Sequence, residues 1–378
     1  MSIALFSLAS SLHNETAPDV LSEPFIAAIG EALGESFDYF GSDFSSFGTH
    51  GADILYIRTG GTEGLFRQLS LEGDITLLAS DQSNSLAAAM EILSYLHGRG
   101  QCGEILHGDP ERIAERILSP RPARSGVSPF VLPLPPIDLG GARLGVIGTP
   151  SDWLIASGVD YSQVRRKLNA ELVDIPMDEL LGELEGFDGE LRSFEGSEAI
   201  YFALKTIVSR HSLSGLTIRC FDLLDTVHNT GCLALARLNA EGIPAACEGD
   251  IPALLTMAWQ QKEKGCPGFQ CNLSRIEGGT LLFAHCTAPF SMLSHYGYDT
   301  HFESGIGTAI RGEMRKGEVR IVKISPDLES LAEIPGRIVA CSSEPFLCRT
   351  QIRVEAPGSE DYFLCGPLAN HHVVTFAE

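Results

Sequence analysis

Short apolar runs alternate with amphipathic stretches over the first third of the chain. IALFSLA, ADILYIRT and DITLLAS are apolar runs of strand length. PFIAAIGEALGES, GGTEGLFRQLS and SLAAAMEILSYLHGRG repeat apolar residues at helical spacing. Strand and helix in alternation predict a parallel sheet with helices on both faces. A Pro-rich stretch over residues 119–141, SPRPARSGVSPFVLPLPPIDLGG, then reads as a domain boundary.

A second α/β unit starts at ARLGVIGTPSDWLIAS and runs through the strand ELVDIP, the helices MDELLGELEGF and SEAIYFALKTIVSRHS, the strand LTIRCFDLL and the helix GCLALARLNAEG. Beyond residue 262 the pattern changes. GTLLFAHCT, VRIVKIS, GRIVACSS, TQIRVEA, DYFLCG and HHVVTFA are short, β-branched or aromatic, and separated by Gly and Pro. They predict an antiparallel β domain, a small barrel or sandwich. The predicted fold class is therefore α/β: two doubly wound parallel-sheet domains, residues 1–138 and 139–262, followed by a C-terminal antiparallel barrel-like domain, residues 263–378.

Composition narrows the function. The 378 residues are 44% hydrophobic and 20% charged, the balance of a well-buried globular protein. The net charge of −22 repels a polyanion, which argues against nucleic-acid binding. No apolar run reaches the ~20 residues that span a bilayer. Ten cysteines without a CxxC pair, and an N-terminus without a basic leader, predict reduced thiols in a cytoplasmic protein.

Candidate chemistry concentrates in AACEGDIPALLTMAWQ, residues 245–260. The strand IPAAC delivers Glu248 to a loop at its carboxyl end, where open α/β sheets place their ligand sites. Asp250 follows, and Pro252 presets a helical first turn. Downstream, FAHCTAP carries His285 and PLANHHVV carries His371 and His372. Carboxylate plus imidazole from separate segments is a ligand set for Mn²⁺, Fe²⁺ or Zn²⁺. The competing reading makes Asp250 a helix N-cap and Glu248 a solvated loop acid. His371 and His372 point to opposite faces of an extended segment, so at most one reaches a given metal. RTGGTEG, residues 58–64, reads either as an anion cradle or as a tight turn. His301 and Glu303, two apart in THFESG, share one face if the segment is a strand. Arg349 fits a substrate anion or a salt bridge equally well.

Taken together, CEGDIPALLTM, FQCNLSRIEGGTLLFAHCTAP, THFESG, CRTQ and PLANHHVV resemble the L-fucose isomerase and L-arabinose isomerase superfamily, in its shorter fucose isomerase-like branch. RTGGTEG, SLAAAMEIL and GVIGTPSDWLIAS are similar to that branch as well. The resemblance implies two α/β domains and a β-rich third, a divalent metal (commonly Mn²⁺), interconversion of an aldose and a ketose, and a trimer or hexamer. It implies Glu248, His285 and His371 as metal ligands, with Glu248 also moving the proton and Asp250 assisting. Asn272, Arg349 and His372 are then substrate contacts. The chain departs from the family at one point. A second carboxylate expected in FQCNLSR falls on Cys271 or Asn272, and neither is a carboxylate base. That departure keeps a second expectation alive: an inactive sugar-binding protein on the same scaffold.

Overall fold

The computed structural model describes residues 3–10, 20–119 and 128–378. Five strands, β1 (Ile3–Leu8), β2 (Asp38–Gly41), β3 (Ala52–Ile57), β4 (Ile75–Ala79) and β5 (Gly103–Leu106), form a parallel sheet in the order β2-β1-β3-β4-β5. Every residue of β1 is buried, as the unbroken apolar run requires of a strand covered on both faces. The segment 128–133, part of the Pro-rich stretch read as a boundary, is not only a linker. Val131–Pro133 forms β6, an edge strand of the third domain's sheet. Pro133 is accommodated there because an edge strand has one side free of ladder bonds.

The central sheet joins β7 (Ala142–Ile147), β8 (Ala170–Ile175), β9 (Gly215–Ile218) and β10 (Ala245–Ala246), all parallel, in the order β10-β9-β7-β8. In both sheets the chain goes first to one side of its founding strand and then to the other. The crevice at such a switch point lies at the carboxyl ends of the strands. In the first sheet it is flanked by the loops after β1 and β3, in the second by those after β7 and β9.

The third domain holds β11 (Phe269–Glu277), β12 (Thr280–His285), a separate hairpin of β13 (Leu293–Asp299) and β14 (Ala309–Met314), then β15 (Gly317–Ile324), β16 (Ser330–Ser342), β17 (Thr350–Glu355) and β18 (His372–Phe376). The order β15-β18-β11-β12-β17-β16 is antiparallel throughout, and β16 pairs back onto β15, closing a six-stranded barrel. DYFLC, expected as a strand, is instead the helix Glu360–Cys365. LTIRCFDLL stops being a strand at Ile218, and Asp222–Thr226 is helical.

The domains share their interior. One apolar cluster runs from Phe6 and Leu77 through Leu93 to Phe269 and Phe283 of the barrel. Glu91, on the helix Ser85–Gly98, is wholly buried. Its carboxylate accepts from the Ala156 N–H at 2.7 Å and the Ser157 hydroxyl at 3.0 Å in the central domain, and from the Asn370 N–H at 2.9 Å in the third. Among the described residues no helix is long and apolar enough to cross a membrane.

Candidate metal centre and the cavity beside it

Two consecutive residues with positive φ shape the loop after β10. Glu248 has φ +61° and Gly249 φ +63°. A Cβ on Gly249 would lie 2.9 Å from the Ser151 nitrogen and 3.0 Å from the Thr149 oxygen, so only glycine fits. Glu248 is a non-glycine residue in the left-handed region, a conformation that costs energy and persists only where surroundings enforce it. Here they do: Ser151 Oγ donates to the Glu248 carbonyl, and Trp153 Nε1 donates to Glu248 Oε2 at 3.1 Å. The strained turn aims the carboxylate at two imidazoles.

Asp250 caps the helix Ile251–Lys264, accepting from the Ala253 N–H at 2.7 Å. Its other oxygen lies 2.9 Å from His371 Nδ1 and 3.6 Å from Lys323 Nζ, and all three residues are fully buried. His371 Nε2 is left 3.5 Å from Glu248 Oε1 without a hydrogen-bond partner. At the end of β12, His285 Nδ1 is held by Thr287 Oγ1 at 2.9 Å, and its Nε2 lies 3.8 Å from the same Glu248 oxygen. Each imidazole is thus oriented through its outer nitrogen and meets the carboxylate with its inner one, the arrangement that outer-shell partners impose on metal-binding histidines. Donor atoms of Cys247, Glu248 and His285 lie within 4.8 Å of one another, so this group can hold a metal ion. The Cys247 sulfur also lies 3.1 Å from Cys220 Sγ.

The charges lock together. Burial alone would raise the Glu248 carboxyl, but His371 and then His285 outweigh it and hold the group well below the usual carboxylate range. Asp250 is likewise lowered, burial being outweighed by Lys323 and His371. Burial would depress His371, yet Glu248 and Asp250 push it up to about 10. A base held above its unfolded value of 6.5 contributes stability that is full below that pH and is lost as pH rises through about 10. Glu63, raised by burial to about 8, contributes in the same direction, from its unfolded 4.5 upward. We therefore expect the melting temperature of metal-stripped protein to fall steadily from near pH 6.5 to near pH 10. Added Mn²⁺ should flatten the decline, because a ligated imidazole has already given up its proton. Melting curves identical at both ends of that range would show that His371 is not held in this way.

A cavity of about 330 Å³ opens beside this centre, with Glu248 in its wall. Ser10, Gly60, Gly61 and Glu63 reach it from the loops after β1 and β3. Trp153 and Phe221 reach it from the loops after β7 and β9, and Asp225 from the short helix Asp222–Thr226 that follows β9. Both parallel sheets therefore direct their switch points at one space, and it is closed by Asn272 and Asn370 from the barrel and Glu303 from the turn between β13 and β14. Among the described residues the wall carries four carboxylates and no basic residue. Three of its amide oxygens, on Asn84, Asn272 and Asn370, have no hydrogen-bond partner.

The structure sorts the residues singled out from sequence. Glu248, His285 and His371 come together. Asp250 supports them from behind, as helix cap and partner of His371, and is not in the cavity wall. Of the two residues at the missing carboxylate, Asn272 faces the cavity, while Cys271 is buried in the core with its thiol 3.6 Å from the His372 carbonyl. His372 turns away from the site. Its Nε2 meets Tyr362 Oη at 2.8 Å and its Nδ1 the Asn370 carbonyl at 2.8 Å, and burial together with Lys323 pushes it down to about 3. Such a ring is neutral and committed, so it offers nothing to a substrate. Arg349 is also elsewhere: Nε donates to the Thr300 carbonyl at 2.7 Å, and Asp299 lies 3.7 Å away. His301 and Glu303 sit in a turn rather than a strand; Glu303 accepts from Asn84 Nδ2 at 2.7 Å and lines the cavity, while His301 Nδ1 meets Ser304 Oγ. Glu63, Asn84, Trp153 and Asn370 were not assigned from sequence. RTGGTEG had marked the loop containing Glu63, but not its carboxylate.

No protein-family model matches the chain, and no curated protein matches it in sequence.

Proposed function

We propose that this chain is a metal-dependent sugar isomerase-like enzyme converting an aldose to a ketose, with a pentose, a 6-deoxyhexose or a derivative as substrate. One observation carries the reading. Two buried imidazoles, each fixed through its outer nitrogen, converge on Glu248 at the wall of a carboxylate-bearing cavity large enough for one small sugar. Glu248, His285 and His371 would hold the metal, Mn²⁺ by the resemblance, with Cys247 the added donor that would draw in a softer ion such as Zn²⁺. Bound there, the metal would polarise the sugar's oxygens as a Lewis acid. Trp153 fixes the Glu248 carboxylate, and the cavity-lining Asn84, Asn272 and Asn370, each with an unpartnered amide oxygen, would accept from sugar hydroxyls. An assembly as a trimer or hexamer, and a cytoplasmic location, belong to the same proposal.

The second reading, a sugar-binding protein without turnover, is favoured by Asn272 standing at the cavity wall where the resemblance calls for a carboxylate. One experiment separates the two. The purified protein is analysed for metal, loaded with Mn²⁺, and screened against pentoses and 6-deoxyhexoses for ketose formation. Conversion of any aldose supports the enzyme. Sugar binding with no conversion, with or without metal, supports the binding protein, and no sugar binding overturns both.

A further inference from the structure

Glu63 opens the short helix Glu63–Gln68 and is only 3% exposed, yet it lines the cavity. Its Oε2 has no hydrogen-bond partner. The unpartnered amide oxygens of Asn84, Asn272 and Asn370, at 9%, 4% and 5% exposure, share the same wall. Leaving a buried acceptor unpaired costs roughly 1–3 kcal/mol. All four residues line one space, and a ligand donating several hydrogen bonds there would pair the oxygens once their side chains turn to it. Glu63 differs from the three amides because it can carry a proton. It differs from Glu248 because no imidazole or indole engages it among the described residues.

We propose that Glu63 touches the bound sugar from the N-terminal domain's wall and is the enzyme's second proton-carrying carboxyl. This rests on the isomerase reading above. The step balances without any co-reactant. Glu248 takes the hydrogen from C2, the C–H electron pair becomes the C1=C2 bond, and Glu63 gives its proton to the carbonyl oxygen on C1, leaving an enediol. In the second half Glu63 takes the hydroxyl proton from the oxygen on C2, which becomes the ketone. The C1=C2 pair then collects the proton from Glu248 at C1. Both carboxyls end as they began. Burial, with Glu91, Glu248 and Glu303 nearby, raises the Glu63 carboxyl, in keeping with a proton stored there at neutral pH.

The test uses the full chain loaded with Mn²⁺, in D₂O, with the same aldoses. Wild type, Glu63→Gln and Glu63→Asp are compared for metal content, kcat, KM and deuterium entering the sugar carbon. Glutamine keeps the shape and a donor but cannot pass a proton. We expect Glu63→Gln to keep its metal and a KM within about threefold of wild type. Its kcat and exchange should fall about 100-fold or more, the scale of a lost general acid. Glu63→Asp, drawn back by one carbon, should fall between. Should Glu63→Gln not fold, Glu63→Asp decides alone, and a wild-type rate there overturns the proposal. Glu63→Gln turning over at a rate within about threefold of wild type also overturns it and leaves the isomerase reading standing. So does loss of the metal from Glu63→Gln, which would make Glu63 a ligand. A wild type that exchanges no deuterium with any aldose overturns both readings.

Discussion

Glu248→Ala should strip the metal from the protein and abolish turnover. Among the described residues, Glu248 alone belongs both to the group able to hold a metal and to the cavity wall. One of its oxygens faces both imidazole nitrogens, at 3.5 and 3.8 Å, and the other receives the Trp153 indole N–H. The variant removes the anion of the set and leaves neutral and cationic groups facing each other. Changes to outer-shell partners typically cost about 10–100-fold in metal affinity, and loss of a ligand should exceed that. Glu248→Gln keeps an acceptor for Trp153 without the charge, and should fall between wild type and alanine. Elemental analysis and calorimetric Mn²⁺ titration read the result. A Glu248→Ala protein that retains stoichiometric metal would place the centre elsewhere.

Asp250→Ala should unfold the protein more readily than any substitution in the cavity wall. The carboxylate serves three partners at once: the Ala253 N–H at the helix terminus, His371 and Lys323. Its loss takes from buried Lys323 the carboxylate 3.6 Å away and leaves Glu91 as the remaining acidic neighbour. Breaking a buried pair from one side costs about 3–5 kcal/mol. The missing cap accounts for about 1 kcal/mol more when measured alone, and the two overlap because the groups are coupled. His371 also loses the bond that orients its ring, so metal affinity should drop about 10–100-fold. Asp250→Asn retains the cap and should recover part of the stability but little of the metal affinity. Denaturant midpoints and metal titrations of the three proteins test this. A loss below about 1 kcal/mol in Asp250→Ala would mean that this buried cluster does not depend on Asp250.

The parallel sheets were readable because β1 is buried throughout and β3 and β4 over most of their length, giving mainly apolar runs, while the helices between them show the other period. DYFLC was misread because an aromatic run of strand length also suits a short helix. Tyr362 and Phe363 are both buried there, which alternation in a strand would not allow against a single core. At the site, period-two reasoning correctly required that only one of His371 and His372 face a given ligand. Which one depends on what packs against each side, and Asp250 and Tyr362 come from distant parts of the chain. The same limit applies to Asn272 against Cys271. The cavity was less legible still. Its wall is assembled from loop residues at the ends of two sheets and from one barrel, and neither hydrophobic period nor motif spacing encodes that convergence.

The carboxylate of Glu91 has a further consequence. It receives hydrogen bonds from two other domains while wholly out of water. Swinging any one domain away from the others would leave that buried carboxyl short of donors, and a buried polar group left unpaired costs roughly 1–3 kcal/mol. The three domains therefore share a single stability instead of holding three independent ones. Access to the cavity falls to the loops at the sheet ends, which can shift without parting the bodies that carry them.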